Sequence, residues 1–293
     1  MVQLKFTKRG GKIMNVSKIM TKKVIVADEN DSIEKVLAIM DKEGIKEVPI
    51  ISKNKYKGML IYYDLLTKLT SGKEKVQKYI KRTPVLSPKQ TIEDAIKIMI
   101  KSGITGLPII DEGRVSDFDI LRILINNHVF DNLKVLDVLI KQFPILRQED
   151  SIEKALKLIS INKVDSLPVI DNFGKIVGEV FLSDILSYIF NKKLKSKGKM
   201  DHESREYDTS VMTIVKREVQ PIPETLNLRR ALEIMLLSRI KAVVVSDTEN
   251  RPIGILSRLK ILSLLSGMNI GEQININLSG DYDLDFSLQV RSQ

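Results

Sequence analysis

Asp31-Ser-Ile-Glu-Lys-Val-Leu-Ala-Ile-Met40 is followed by Gly44-Ile-Lys-Glu-Val-Pro49, and this pairing recurs along the chain. The same order appears in Gln90-Thr-Ile-Glu-Asp-Ala-Ile-Lys-Ile-Met99 with Gly103-Ile-Thr-Gly-Leu-Pro108. A third copy is Asp150-Ser-Ile-Glu-Lys-Ala-Leu-Lys-Leu-Ile159 with Lys163-Val-Asp-Ser-Leu-Pro168. The fourth runs Thr225-Leu-Asn-Leu-Arg-Arg-Ala-Leu-Glu-Ile-Met235, then Arg239-Ile-Lys-Ala-Val-Val244. Pro49 finds its counterparts after 59, 60 and 76 residues, a period that marks an array of similar units. In the first copy Asp31 or Ser32 suits a helix cap, because a short side-chain oxygen satisfies free N–H groups of the first turn. An apolar stripe at helical spacing follows, and then a β-branched run suited to a buried strand.

Outward from these cores, each unit reads β-α-β-β-α. In the first, Asn15 to Met20 is a short helical lead-in and Val24-Ile-Val26 is read as a buried strand. Gly58-Met-Leu-Ile61 pairs with the Pro49 strand as a hairpin, and a closing helix begins near Tyr63. The second unit is shorter. Pro108 to Asp119 spans 11 residues, against 15 from Pro49 to Asp64 and 16 from Pro168 to Asp184. Arg114-Val-Ser116 must therefore serve as a truncated second strand. Residues 191–206 form a charged connector without apolar period, expected as a loop or a loosely held helix end. Residues 268–293 alternate apolar and polar side chains around Ser279-Gly280-Asp281, the pattern of a β-hairpin. The fold class is α/β (α+β).

Composition narrows the function classes. No apolar run approaches the 18 or so residues that a spanning helix needs, and the N-terminus is too polar for a signal peptide. A cytoplasmic location follows by default. With no Cys there is neither a disulfide framework nor a thiolate nucleophile. The two histidines, His128 and His202, are far apart, so no metal site is expected. The Lys-, Ile- and Glu-rich composition resembles that of thermophile proteins. Of the formal net charge of +10, residues 1–12 supply +4, residues 68–82 +5 and residues 191–200 +5, leaving −4 for the rest. The basic excess thus lies in a tail and connectors, as solvated segments or as phosphate contacts through Lys5, Lys8, Arg9, Lys12, Lys192, Lys193, Lys195 and Lys197. No phosphate-binding Gly-Lys-Ser/Thr loop, nucleophile elbow or metal-ligand cluster is present, so the chain reads as not an enzyme.

The four motif sets resemble tandem cystathionine-β-synthase (CBS) domains over about residues 13–267. The resemblance implies two pseudo-twofold modules, at 13–130 (repeats 1 and 2) and 131–267 (repeats 3 and 4), preceded by the basic extension 1–12 and followed by the hairpin tail. Modules would stack within the chain or with a second copy, as a homodimer. It further implies an adenosine ligand (AMP, ADP, ATP or S-adenosylmethionine) between paired repeats, with no other cofactor and no metal. A Ser/Thr and an Asp three residues later, at the mouth of the closing helix, would bind phosphate and ribose. The matching positions are Ile61 and Asp64, Ser116 and Asp119, Phe181 and Asp184, and Ser257 and Lys260. Only the second repeat has the full pair, and for each Asp a plain helix cap is the alternative. Thr83 lies at the loop that faces adenine in the family, with a plain strand start as the alternative. Two functions follow as expectations: an energy-sensing regulator acting on a protein partner in trans, or an RNA- or ribosome-associated factor of the stand-alone archaeal type. The second would use the basic segments on a CBS scaffold.

Overall fold

The fold is given by a computed structural model that describes residues 14–65, 74–109, 112–162, 164–195, 208–218 and 221–265. The extension 1–12, most of the connector 191–206 and the expected C-terminal hairpin lie outside the described residues. The first repeat comprises β1 (Ala27–Asp28), α1 (Ile33–Glu43), β2 (Glu47–Ser52), β3 (Lys55–Ile61) and α2 (Tyr62–Leu65). The second has α3 (Ile92–Ser102), β4 (Gly106–Ile109), β5 (Gly113–Ser116) and α4 (Asp117–Asn126). The third has β6 (Leu146–Arg147), α5 (Ile152–Asn162), β7 (Ser166–Ile170), β8 (Ile176–Phe181) and α6 (Leu182–Lys195). The fourth has β9 (Ile222–Pro223), α7 (Leu228–Leu237), β10 (Ala242–Ser246), β11 (Pro252–Ser257) and α8 (Arg258–Leu265).

Local chemistry explains these boundaries. Ser32 caps α1 by accepting from the Lys35 N–H, and Gly44 closes it at φ 63°. Thr91 and Asp94 form a reciprocal capping box on α3. The truncated hairpin of the second repeat pairs β4 with β5 alone, and Leu86 makes a single parallel bridge to Ile109 where the other repeats have a first strand. One expectation needs correcting. Val24-Ile-Val26 is not a buried strand: Ile25 and Val26 are exposed, and β1 begins one residue later at the buried Ala27. The β-branched run fits a strand, but only Ala27 and Asp28 find a partner, in β2. The connector also starts as helix, since α6 continues to Lys195.

The lead-ins do not stay with their own repeats. Asn15 bridges Thr91 at the start of α3, and Lys75 bridges Ser32 at the start of α1. Lys134 bridges Asn227, and Ser210 bridges Ser151, in the same manner. Repeats 1 and 2 thus exchange lead-ins, as do repeats 3 and 4. A second bridge follows in each exchange: Thr21 with Arg114, Lys81 with Met59, Ile140 with Ile255 and Lys216 with Glu179. Each of these four pairs exchanges two backbone hydrogen bonds of 2.8–3.0 Å.

Packing across the chain runs differently from the exchange. One apolar core joins repeat 2 to repeat 4, with Ile96, Met99 and Leu121 packed among Leu232, Met235 and Leu262. A second joins repeat 1 to repeat 3, with Val36, Met40 and Tyr62 among Ala155, Ile159 and Ile185. Burial of these stripes is the main favourable term holding the four repeats together. All four repeats meet near the starts of β2, β4, β7 and β10, where Glu47, Thr105, Asp165 and Lys241 border one space.

Candidate ligand-binding clefts

A polar knot lies at that meeting point. Glu47 at the start of β2 is buried, and its carboxylate accepts from the Thr105 hydroxyl at 3.1 Å and from Lys241 Nζ at 3.0 Å. Burial alone would raise the Glu47 pKa, but the Lys241 charge and hydrogen bond hold it below the usual range. Asp117 and Arg258, each the first residue of its helix, form a buried ion pair at 3.2 Å. Here burial wins and pushes the Asp117 carboxyl above its ordinary value, with Arg258 offsetting only part of it. The knot ties repeats 1, 2 and 4 together.

A cavity lies on either side of it. The first, about 280 Å³, is the cleft of the second repeat. Ser116 is the N-cap of α4 and its hydroxyl donates to Asp119 Oδ2 at 2.6 Å, while the Ser116 N–H donates to the same oxygen at 2.9 Å. Among the described residues Asp119 Oδ1 receives only a long 3.4 Å bond from the Thr21 hydroxyl, supplied by the exchanged lead-in. That oxygen keeps capacity to accept from a hydroxyl of a ligand. Arg114, Arg122, Arg239 and Lys46 line the same cavity. The Arg114 charge also acts on the Glu47 carboxylate and helps to hold its pKa down. Arg239 occupies the place where its sister repeats have Gly44 and Gly103, and it holds the left-handed backbone at φ 54°. Its side chain packs over Gly44 and donates to the Glu43 carbonyl, reaching from repeat 4 into the cleft of repeat 2. The capping and ligand readings of Ser116 and Asp119 are thus compatible, since the cap uses one carboxylate oxygen and leaves the other.

The second cavity, about 300 Å³, borders all four repeats. Asp64 and Ser257 both line it, together with Ile140, Phe143 and Ile255. Asp64 accepts from Lys81 at 3.1 Å, and Asp184 faces Lys216 at 3.6 Å. Thr83 lies outside both cavities and its hydroxyl pairs with the Tyr56 hydroxyl at 2.6 Å. The structure therefore brings Ser116 and Asp119 into one cleft and Asp64 and Ser257 into another; Asp184 stands apart from them. Sequence reasoning missed Arg114, Arg122 and Arg239. The signal for Arg239 was present, as an Arg where two sisters have a helix-ending Gly. Lys192, Lys193 and Lys195 fall on α6 but their side chains are outside the description, as are Lys197 and Lys5, Lys8, Arg9 and Lys12. Among the described residues no cluster of metal-ligating side chains occurs, and no helix is long and apolar enough to cross a membrane.

Four copies of one family model, the CBS domain, match residues 16–71, 76–126, 135–191 and 211–267. These cover most of the chain, which therefore belongs to the CBS-domain family. Its relatives include the Methanocaldococcus jannaschii protein MJ1404, 26% identical over 280 residues, covering 92% of this chain and 66% of MJ1404. The chain thus spans about two thirds of that relative's length. A Thermofilum pendens 33.4 kDa protein, described by its place in a ribosomal RNA operon, is 24% identical over 78% of this chain and 84% of its own. Among solved structures, M. jannaschii MJ1225 aligns with a TM-score of 0.74 at 20% identity, covering 85% of this chain and 99% of that one. A Pyrococcus horikoshii protein aligns at 0.60 and 19% identity, covering 86% and 100%. At such identities these two establish the fold alone.

Proposed function

We propose that the chain is a non-catalytic regulatory protein that binds an adenine nucleotide in the cleft of its second repeat and acts on a partner in trans. The observation that carries this is the cavity of about 280 Å³ where Ser116, Asp119 and Thr21 meet Arg114, Arg122 and Arg239. Asp119 Oδ1 suits a ribose hydroxyl, and three guanidinium groups suit phosphate oxygens, which they bind bidentately. Such walls favour AMP, ADP or ATP over S-adenosylmethionine, whose sulfonium adds positive charge to a positive site. The exchanged lead-ins support 13–130 and 131–267 as the two modules. Because Arg239 enters from repeat 4, an occupied cleft would bias how the modules sit on each other, the differential contact that regulation requires.

Titration calorimetry of the full chain with ATP, ADP, AMP and S-adenosylmethionine tests this. Phosphate-bearing ligands should bind at least tenfold tighter than S-adenosylmethionine, and Asp119→Ala should weaken them at least tenfold. Equal affinity for S-adenosylmethionine, or an unaffected Asp119→Ala, would contradict the reading.

A second reading, RNA or ribosome association, draws on the basic segments and on the operon position by which the T. pendens relative is described. Phosphate-driven association falls steeply with salt. Reversing Lys192, Lys193, Lys195 and Lys197 to Glu should then abolish ribosome co-sedimentation while ATP binding persists.

A further inference from the structure

The four clefts are built alike, so the residue that each exchanged lead-in presents can be compared directly. Thr21, Lys81, Lys216 and Ile140 are equivalent, because each bridges the residue two positions before Ser116, Ile61, Phe181 and Ser257. In the second cleft a neutral hydroxyl faces the carboxylate, at 3.4 Å. In the first and third the lead-in presents an ammonium instead, with Lys81 at 3.1 Å from Asp64 and Lys216 at 3.6 Å from Asp184. The fourth has Lys260 in place of a carboxylate at the equivalent position.

We propose that Lys81 and Lys216 are built-in occupants of the first and third clefts, closing them to nucleotide and leaving one competent site per chain. This rests on the adenine-nucleotide reading above. The physical case is competition for one carboxylate, which in these two clefts already faces a cation from the lead-in. Lys81 Nζ donates to Asp64 Oδ2 at 3.1 Å, a charge-assisted hydrogen bond that a ribose hydroxyl would have to share or displace. Lys216 faces Asp184 at ion-pair distance, 3.6 Å. Exposed ion pairs are individually weak, and Lys81 and Lys216 are half-exposed, but neither has to be captured from solution. The backbone of Lys81 is bonded both ways to Met59, at 2.8 and 2.9 Å, and that of Lys216 both ways to Glu179, at 2.8 and 2.9 Å. Each ammonium is therefore held on a short side-chain tether beside its carboxylate, at an effective concentration in the millimolar range or above. The Lys81–Asp64 pair stands in the wall of the cavity of about 300 Å³, so space for a ligand is present beside an anchor whose Oδ2 is already engaged by the lead-in.

The test transplants the lead-in residue in both directions and counts sites with ATP by equilibrium dialysis of the full chain. Wild type should bind one ATP. Thr21→Lys should lose at least tenfold in affinity with an unchanged circular-dichroism spectrum and melting curve. Lys81→Thr should gain a second site. Lys81→Thr is also made in an Asp119→Ala background, where the second cleft is disabled. One site there, against none in Asp119→Ala alone, supports the closure without reference to the second cleft. Two or more sites in wild type, or no gained site in either Lys81→Thr protein, would overturn the inference. ATP bound undiminished by Asp119→Ala would instead sink the assignment to the second cleft, and Lys81→Thr would still decide the closure.

Discussion

Arg239 holds a left-handed backbone at φ 54° where two sister repeats have Gly44 and Gly103. A non-glycine residue in the left-handed region loses roughly 1–2 kcal/mol, and two sister repeats avoid this with glycine. Replacing it by glycine relieves that strain but adds about 0.5–1 kcal/mol of chain entropy in the unfolded state. Arg239→Gly should therefore shift stability by no more than about 1 kcal/mol in denaturant melts while weakening ATP at least tenfold. Wild-type affinity in that variant would remove Arg239 from the site. Glu179 makes the converse case. It is buried, bonded through one oxygen to Ser166 at 2.8 Å, and its Oε1 has no partner among the described residues. Burial raises its pKa, offset only in part by Ser166. A carboxyl with a raised folded pKa binds its proton more tightly in the folded state. Stability from this group is then gained as pH falls through the raised value and is complete below the unfolded 4.5. Glu179→Gln mimics the protonated form. It should add about 1 kcal/mol at pH 7.5, an advantage that shrinks toward pH 5 in calorimetric melts. A gain independent of pH would contradict the assignment.

At the scale of elements, the exchanged lead-ins depend on one glycine per repeat. A Cβ on Gly58, Gly113 or Gly178 would lie 2.4–2.6 Å from the backbone oxygen of Lys81, Thr21 or Lys216 respectively, and on Gly254 3.1 Å from that of Ile140. Backbone cannot rotate away as a side chain does, so Gly113→Ala should cost about 2 kcal/mol. It should also speed amide exchange at Thr21 and Arg114, whose mutual bonds would part; unchanged protection there would refute the exchange. These glycines recur in the sequence three residues before the hydroxyl position, yet their purpose was not legible. The lead-ins look alike in all four repeats, so nothing local states which repeat each one joins. The helices were legible because capping, apolar spacing and Gly44 or Gly103 act within a few residues. The first strand was misplaced because Val24-Ile-Val26 satisfies strand propensity without having a neighbour to pair with.

For the whole molecule, the polar knot both joins repeats and separates the two cavities: Glu47, Thr105, Asp117 and Lys241 wall both. Its charges were visible in the sequence as Glu47, Lys241, Asp117 and Arg258. Their convergence was not, since it depends on how repeats 1, 2 and 4 pack over separations of up to 194 residues. Removing one partner of a buried pair strands the other. Arg258→Met should cost about 3–5 kcal/mol in urea unfolding, and Asp117→Leu/Arg258→Met should recover most of it. An Arg258→Met protein as stable as wild type would mean that the pair does not bind the repeats together. The central claim, a nucleotide held across repeats in the second cleft, is tested most directly by a crystal structure of the full chain grown with ATP. The account predicts ribose on Asp119 Oδ1 and phosphates on Arg114, Arg122 and Arg239. ATP seated elsewhere, with that cleft unchanged, would contradict it.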